Sequence, residues 1–486
     1  MSILSRYRRI ACAAVWHGAG LIAAPLAAFA APPAAVTSAA ATPADGGDVA
    51  LARQILRELV EIRSTHANGT AQAAEAVLTR LRSAGFEAAD ATLLAPAEFP
   101  QSANVVARLH GRGRSKPLLY ICHLDVVEAI AADWTRDPFK LTEDGGYLYG
   151  RGTIDMKGQD AAVLTSLIRM KREHYVPDRD IIVAFTADEE AGGASNGVAW
   201  LLEHHRDLID AALVVNPDGG EAGMKDGRKL YVGVETSEKV FLSFRAEVTD
   251  KGGHSSRPTP GNPIYRLAAG LERLSRYEFP VHLTDTTRLY FARRAALETG
   301  QLKADMLAVA ESPPDPAALA RLSSSVETNI LLRTTCVATQ IDGGHAENAL
   351  PQRARATLQC RLIPGETPET IQKELDAVLA DPGIKLEVLT PARPAPESPP
   401  SPAMLSAVEA VTHQLWPEVI VLPQMAAGAS DSIYTLRAGI PSYGIDGMFD
   451  DLDDGRAHGR DERIGVEAFA QEVEFTYRLM RRLSSR

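Results

Sequence analysis

The sequence predicts an α/β fold in which a mainly parallel sheet is interrupted by an inserted α+β domain. Three observations predict it. Short apolar runs alternate with helical spacing through the first half, the pattern switches to period two at Val240, and helical spacing returns after a proline-rich stretch at residues 391–400. Runs that are apolar at every position suit strands buried on both faces, as in parallel sheets covered by helices, whereas strict alternation suits a strand with one open face.

The chain has 486 residues and a formal charge of -11. That length suits two or three domains with a sizeable core. Arg6, Arg8 and Arg9 precede an apolar stretch from Ile10 to Phe29 that closes with Ala28-Phe29-Ala30. This is the pattern of a cleaved secretory signal over residues 1–30, so a secreted or periplasmic protein without a stable membrane anchor is expected. Removing it takes away three arginines and no acids, which moves the charge from -11 to -14. Nucleic acid is excluded as a partner on that balance, because it needs basic patches. Cys122, Cys336 and Cys360 remain, an odd count that is no disulfide framework; a Cys336 to Cys360 bridge is left open.

Leu51, Ile55, Leu56, Leu59 and Ile62 recur at helical spacing, and a second helical stretch ends at Gly85. Strands are predicted at Asn104 to Leu109, Leu118 to Cys122, Ile181 to Thr186 and Ala211 to Val215, with a helix through Val163, Leu164, Leu167 and Ile168 between them. This alternation gives an α/β domain whose first part spans 48–236. From Val240 the alternating strand is followed by a helix through Ile264, Leu267 and Leu271 and strands near Thr334 to Gln340 and Arg355 to Ile363. A helix capped by Thr367-Pro368 and a strand at Ile384 to Val388 complete a βαββαβ order, the ferredoxin-like split unit, over 237–397. A mostly helical insertion lies at 283–325. Past the connector, 398–486 returns to the first domain with a helix through Met404, Leu405, Val408 and Val411 and a strand near Ser442 to Ile445.

The chemistry-bearing residues sit where the buried strands end. Ligands bind at that edge of an open α/β sheet, because the loops converge there on a rigid support. His123 and Asp125 follow one strand, Glu189 and Glu190 another, and Asp218 a third; a glycine-bracketed loop, Gly150 to Gly158, delivers Asp155 to a helix start, and His458 comes late in the chain. Imidazole and carboxylate donors in this mixture suit zinc, and less specifically manganese or cobalt. Asp125 is placed either to orient His123 through its second ring nitrogen or to act from the far side of the site.

In this order the segments resemble a family of dizinc metallopeptidases that includes glutamate carboxypeptidase, acetylornithine deacetylase, succinyl-diaminopimelate desuccinylase and the aminoacylases. The branch most resembled is carboxypeptidase S, through Gly150-Arg151-Gly152-Thr153-Ile154-Asp155-Met156-Lys157-Gly158, Leu332-Arg333-Thr334-Thr335 and His458-Gly459-Arg460-Asp461-Glu462-Arg463. The resemblance implies two Zn2+ per chain, with Co2+ or Mn2+ as substitutes. It implies that Asp155 bridges both, that His123 and Asp218 complete one and Glu190 and His458 the other, and that Glu189 is the general base. It also implies a cis peptide after Asp155, a lid and dimerisation role for the inserted domain, oxyanion support from His254, and substrate contacts from Arg361, Asn348 and the Gly428 loop.

The expected reaction is cleavage of a peptide or N-acyl amide bond beside a free carboxylate, with deacylation of small N-acyl amino acids as the alternative. A metal-binding module without activity is the rival from another class, against which the intact Glu189 argues. Specificity is expected in the 283–325 insertion and the inserted domain. Relatives use a dimer, so a homodimer is one expected assembly; a monomer with the insertion over the cleft is the other.

Overall fold

A computed structural model describes residues 46–390 and 392–485. The expected signal at 1–30 lies outside them. Among the described residues no helix is long and apolar enough to cross a membrane.

Two helices open the described chain, α1 (Gly46–Glu61) and α2 (Ala71–Ser83), followed by strands β1 (Ala91–Leu94), β2 (Asn104–Leu109) and β3 (Leu118–His123). Helix α3 (Lys157–Arg172) leads to β4 (Ile181–Thr186), β5 (Leu213–Asn216), β6 (Ala222–Lys225) and β7 (Arg228–Glu238). The next group is β8 (Val240–Thr249), α4 (Pro263–Ser275), α5 (Asp285–Arg294), β9 (Thr335–Gly343), β10 (Arg353–Leu362), α6 (Pro368–Leu379) and β11 (Lys385–Thr390). The chain then adds α7 (Pro402–Leu415), β12 (Ile420–Ala426), β13 (Ser442–Gly444), β14 (Phe449–Asp451) and α8 (Val466–Ser484).

The large sheet runs β1-β2-β4-β3-β5-β13-β7-β6-β14, with β12 also on β7. Its centre is parallel: β4, β3, β5 and β13 pair in one direction, while β1, β2 and β7 join antiparallel at the flanks. Every residue of β3 and β4 is buried, which explains runs apolar at each position. Leu118, Tyr120 and Cys122 face a core shared with α1, α2, α3 and α8. Leu119 and Ile121 face a second core closed by Val198 and Leu201. Each fully buried Leu or Ile contributes roughly 1.5–3 kcal/mol relative to exposure, so a one-residue slip in register would move every side chain to the wrong face. Register sets His123 opposite Thr186, and the carboxyl ends of β3 and β4 therefore finish level.

The chain leaves this sheet at Lys239 for a four-stranded antiparallel sheet of order β9-β10-β8-β11, the ferredoxin-like arrangement. Alternate residues of β8 and β10, among them Leu242, Phe244, Leu358 and Leu362, meet Leu267, Ile371 and Leu375 of the helices in a separate core. Cys336 and Cys360 stand opposite each other on β9 and β10 and form the disulfide that the sequence left open. Cys122 is free and buried. The insertion is helical, as expected, and builds its own small core from Phe291, Met306, Val309 and Leu322. It is anchored to the large sheet, since Arg293 of α5 donates to the Val421 carbonyl of β12 and to Glu409 of α7.

Candidate metal centre

Five segments converge at the carboxyl edge of the parallel strands. His123, the last residue of β3, is 2 % exposed. Its Nδ1 lies 3.0 Å from the Asp125 backbone carbonyl, an acceptor that fixes the proton on Nδ1 and leaves the Nε2 lone pair for a ligand. The Nε2 atom is 3.0 Å from Asp155 Oδ1 and 3.7 Å from Asp218 Oδ1. His458 Nε2 is 2.9 Å from the other Asp155 oxygen, Oδ2, and 3.0 Å from Glu190 Oε1. Asp155 thus stands between two imidazoles, one oxygen toward each. Donor atoms fall into two compact groups, His123 with Glu189 and Asp218, and Asp155 with Glu190 and His458, each within 4.8 Å.

The two adjacent glutamates reach different groups because of the turn that presents them. Asp188 has φ 57°, left-handed backbone that costs a non-glycine residue on the order of 1 kcal/mol. Its carboxylate is held by His66 Nδ1 at 2.8 Å and by the Ser102 hydroxyl. Its carbonyl accepts from Gly192 N at 2.9 Å. The peptide nitrogens of Glu189 and Glu190 both donate to the Asp125 carboxylate, at 3.1 Å each. Of the two placements weighed for Asp125, then, its backbone orients His123 while its side chain fastens the glutamate pair.

Asp155 and His458 are held by a second device that sequence reasoning missed. Glu462, fully buried, accepts from Arg151 Nη1 at 2.5 Å and from the backbone nitrogens of Gly152, Ile154 and Asp155 at 3.0, 2.8 and 3.2 Å. Arg151 Nη2 donates in turn to the carbonyls of His458 and Gly459. One ion pair therefore ties together the two loops that carry Asp155 and His458. Its signal in the sequence was an acid in the His458 motif and a base in the Gly150 loop, two charges 311 residues apart. The peptide after Asp155 is cis, as the resemblance implied.

Acid crowding sets the electrostatics. Burial, then the carboxylates of Asp218, Asp431 and Glu190, raise Glu189 to about 10. Hydrogen bonds to Asp155 and Glu190 raise His458 to about 10. Burial depresses His123, but Asp155 and Asp218 outweigh it and hold the ring well above its ordinary value. Buried carboxylates this close repel unless cations lie among them, and protons on the imidazoles compete with metal ions for the same lone pairs. Two imidazole nitrogens and four carboxylates in two groups are a donor set that fits divalent zinc, cobalt or manganese.

A cleft of about 490 Å³ opens beside Glu189 and Glu190, lined also by Lys239, Phe241, Arg393 and Tyr434 and by Ala429 to Asp431. Gly428 is exposed at the start of that last loop. Ser430 donates from its hydroxyl and backbone to Glu238, and Asp431 accepts from Asn196 at 2.6 Å. Arg361 lies on β10 with its guanidinium 4.9 Å from the Phe241 ring. His254 is exposed on a two-residue ribbon paired with Ala349 and Leu350, its Nδ1 bonded to Ser256. The carbonyl of Asn348, also exposed, accepts from Ser255. His254 and Asn348 thus share one loop pair, and among the described residues no hydrogen bond joins either to the acidic centre. No residue of 283–325 lines the Glu189 cleft.

Residues 119–482 match the model of peptidase family M20/M25/M40. "Probable carboxypeptidase S-like 2" of Dictyostelium discoideum is 28% identical over 75% of this chain and 71% of its own length. The human "N-fatty-acyl-amino acid synthase/hydrolase PM20D1" is 27% identical over 75% and 74%. Among solved structures, the M20 family metallo-carboxypeptidase Sso-CP2 from Sulfolobus solfataricus superposes with a TM-score of 0.65 at 20% identity, covering 88% of this chain and 98% of that one. Human carnosine dipeptidase 1 does so at 0.58 and 17%, covering 90% and 98%. The chain belongs to peptidase family M20/M25/M40 and is a hydrolase.

Proposed function

We propose that the protein hydrolyses a peptide or N-acyl amide bond beside a free carboxylate, with two divalent cations, Zn2+ in the first place. The observation that carries this reading is Asp155, whose two oxygens each face a different imidazole, His123 at 3.0 Å and His458 at 2.9 Å. In it Asp155 would serve both sites, His123 and Asp218 would complete one, and Glu190 and His458 the other. Cations held there would supply Lewis acidity toward the scissile carbonyl and lower the pKa of a bound water. Glu189 needs no place among the ligands, and its position at the cleft lets it take the water proton and pass it to the leaving nitrogen. Asp125 keeps that carboxylate in place through the peptide nitrogens of the pair.

Deacylation of N-acyl amino acids is the second reading. It is favoured by the relatives named as N-fatty-acyl-amino acid hydrolases and by Phe241, Ile433 and Tyr434 in the cleft. A secreted or periplasmic location goes with both, supported by the first thirty residues and by the Cys336–Cys360 disulfide. The test is Glu189→Gln, assayed on a C-terminal dipeptide and on short- and long-chain N-acyl amino acids after chelation and add-back of zinc, cobalt or manganese. Turnover should fall by about two to four orders of magnitude with two metals still bound per chain. Near-normal hydrolysis by that variant would overturn the mechanism.

A further inference from the structure

One loop joins the acidic centre to the cleft. Residues 427–431 follow β12, and Ala429, Ser430 and Asp431 line the space beside Glu189. Ala427, Gly428 and Ala429 are exposed, so apolar burial does little to hold the loop, whereas Ser430 and Asp431 are buried. A segment with few buried apolar contacts opens readily unless polar ties fix it. Among the described residues, three side chains from other segments supply those ties.

Glu238, the last residue of β7, accepts from the Ser430 backbone at 3.1 Å and from its hydroxyl at 2.5 Å. An asparagine amide has two N–H donors, and two asparagines use both of theirs here. Asn216, the last residue of β5 and 1 % exposed, donates to the Ser430 hydroxyl at 2.9 Å and to the Ser432 hydroxyl at 3.1 Å. Asn196 donates to the Asp431 carboxylate at 2.6 Å and to the Asp188 carbonyl at 3.3 Å, while its Oδ1 accepts from Ala199. Asn216 stands two residues before Asp218, and Asp188 one residue before Glu189. The same loop is therefore tied to the strand behind one donor group and to the turn that presents the glutamate pair.

Both of those segments carry carboxylates that repel at this spacing unless cations lie among them. We propose that metal binding seats the cleft loop: cations between the donor groups fix the Asp218 segment and the Asp188 turn, and the Asn216 and Asn196 amides then set Ser430 and Asp431 against the cleft. This rests on the two-cation reading of the centre. It makes Asn216 and Asn196 positioning residues, which act on a substrate through the loop and take no part in bond breaking. Metal binding and occupation of the cleft are then coupled through polar side chains that touch neither a cation nor the scissile bond.

Hydrogen exchange read by mass spectrometry on the full chain, before and after zinc add-back, tests the coupling. In the wild-type protein zinc should slow exchange in 427–434 by about ten-fold, the size of an ordinary coupling between sites. Residues 112–116, which precede β3 at the opposite edge of the sheet, should be unaffected. Asn216→Ala should bind as many metals as wild type by elemental analysis and yet lose most of that protection. Ser430→Ala should do the same, and Ser430→Thr, which keeps the hydroxyl, should recover it. On N-acetyl-leucine both alanine variants should raise KM by about ten-fold with kcat changed less. Zinc that leaves 427–434 unprotected in the wild-type protein would overturn the proposal, and that comparison stands even if the Asn216→Ala chain does not fold. Protection kept in both alanine variants, or lost only together with the metals, would overturn it as well. The exchange readout needs no turnover, so zinc-dependent protection in a protein that cleaves no amide would sink the hydrolase reading alone.

Discussion

Replacing Glu462 with glutamine should loosen both loops of the metal centre at once. The carboxylate accepts from Arg151 and from three backbone nitrogens in a fully buried position, and Arg151 is itself only 2 % exposed. Burial raises the Glu462 carboxyl above its ordinary value despite Arg151, so the ion pair contributes position more than stability. Breaking it from one side is another matter. Glutamine keeps one acceptor oxygen and turns an amide group toward donors, leaving at least one N–H without an acceptor at about 1–3 kcal/mol. It also leaves a buried guanidinium uncompensated, which typically costs about 3–5 kcal/mol. These costs overlap, and we expect a loss of about 3–5 kcal/mol in denaturant unfolding. Metal affinity, measured by competition with a chromophoric chelator, should drop about 10- to 100-fold because Asp155 and His458 lose their common anchor. The double variant Arg151→Met/Glu462→Gln removes the orphaned charge and should regain part of the stability, while metal affinity stays low. A folded Glu462→Gln protein with wild-type metal affinity would refute the reasoning.

Asp125→Asn retains shape but only one acceptor oxygen for the nitrogens of Glu189 and Glu190. Turnover should fall about 10- to 100-fold with metal content unchanged, and simultaneous loss of metal would show that Asp125 acts chiefly on His123. His458→Ala should bind fewer than two metals per chain by elemental analysis; two would remove it from the ligand set. Asp381 in the small sheet unit is held by Arg266, and its carboxyl is lowered from 3.8 to about 2. A depressed carboxyl stabilises the fold above its unfolded value. That contribution should shrink as pH falls below 3.8 and vanish below about 2. Asp381→Asn should therefore lose on the order of 1 kcal/mol near neutral pH, with the gap to wild type closing as unfolding is repeated toward pH 2; a gap independent of pH would contradict the assignment.

The central sheet was legible because β3 and β4 are buried on both faces, so burial alone dictates their residues, and the ends of such runs locate His123, Glu189 and Glu190 without knowledge of pairing. The ferredoxin-like order was legible for a related reason: β8 and β10 have one buried face and alternate accordingly. The antiparallel flank was not. Strand β7 carries Glu235 within a buried stretch and ends on half-buried Glu238, and such a sequence reads as polar until its neighbours are known. The disulfide depended on register, since Cys336 and Cys360 meet only because β9 and β10 pair with those residues opposite. Helices of the insertion were visible, but their seat against β12 rests on Arg293 and the Val421 carbonyl, a contact that leaves no local pattern.

The same distinction separates what the ligand set showed from what supports it. Most of the proposed ligand residues sit next to the ends of regular elements, where composition changes abruptly. Supporting residues act across the chain: Asp125 on Glu189, 64 residues on, and Arg151 on Glu462, 311 residues on. Asp188 shows why the second kind matters. Its left-handed backbone costs on the order of 1 kcal/mol, and nothing in an Ala-Asp-Glu-Glu sequence demands it. Yet without that reversal the two glutamates would leave an extended strand on opposite faces of the sheet. His66, Ser102, Gly192 and Asn196 offset the cost by holding the carboxylate and carbonyl of Asp188. The division between Glu189 beside His123 and Asp218 and Glu190 beside Asp155 and His458 is therefore a property of the turn and its anchors, two of which, His66 and Ser102, lie in segments that carry no proposed ligand.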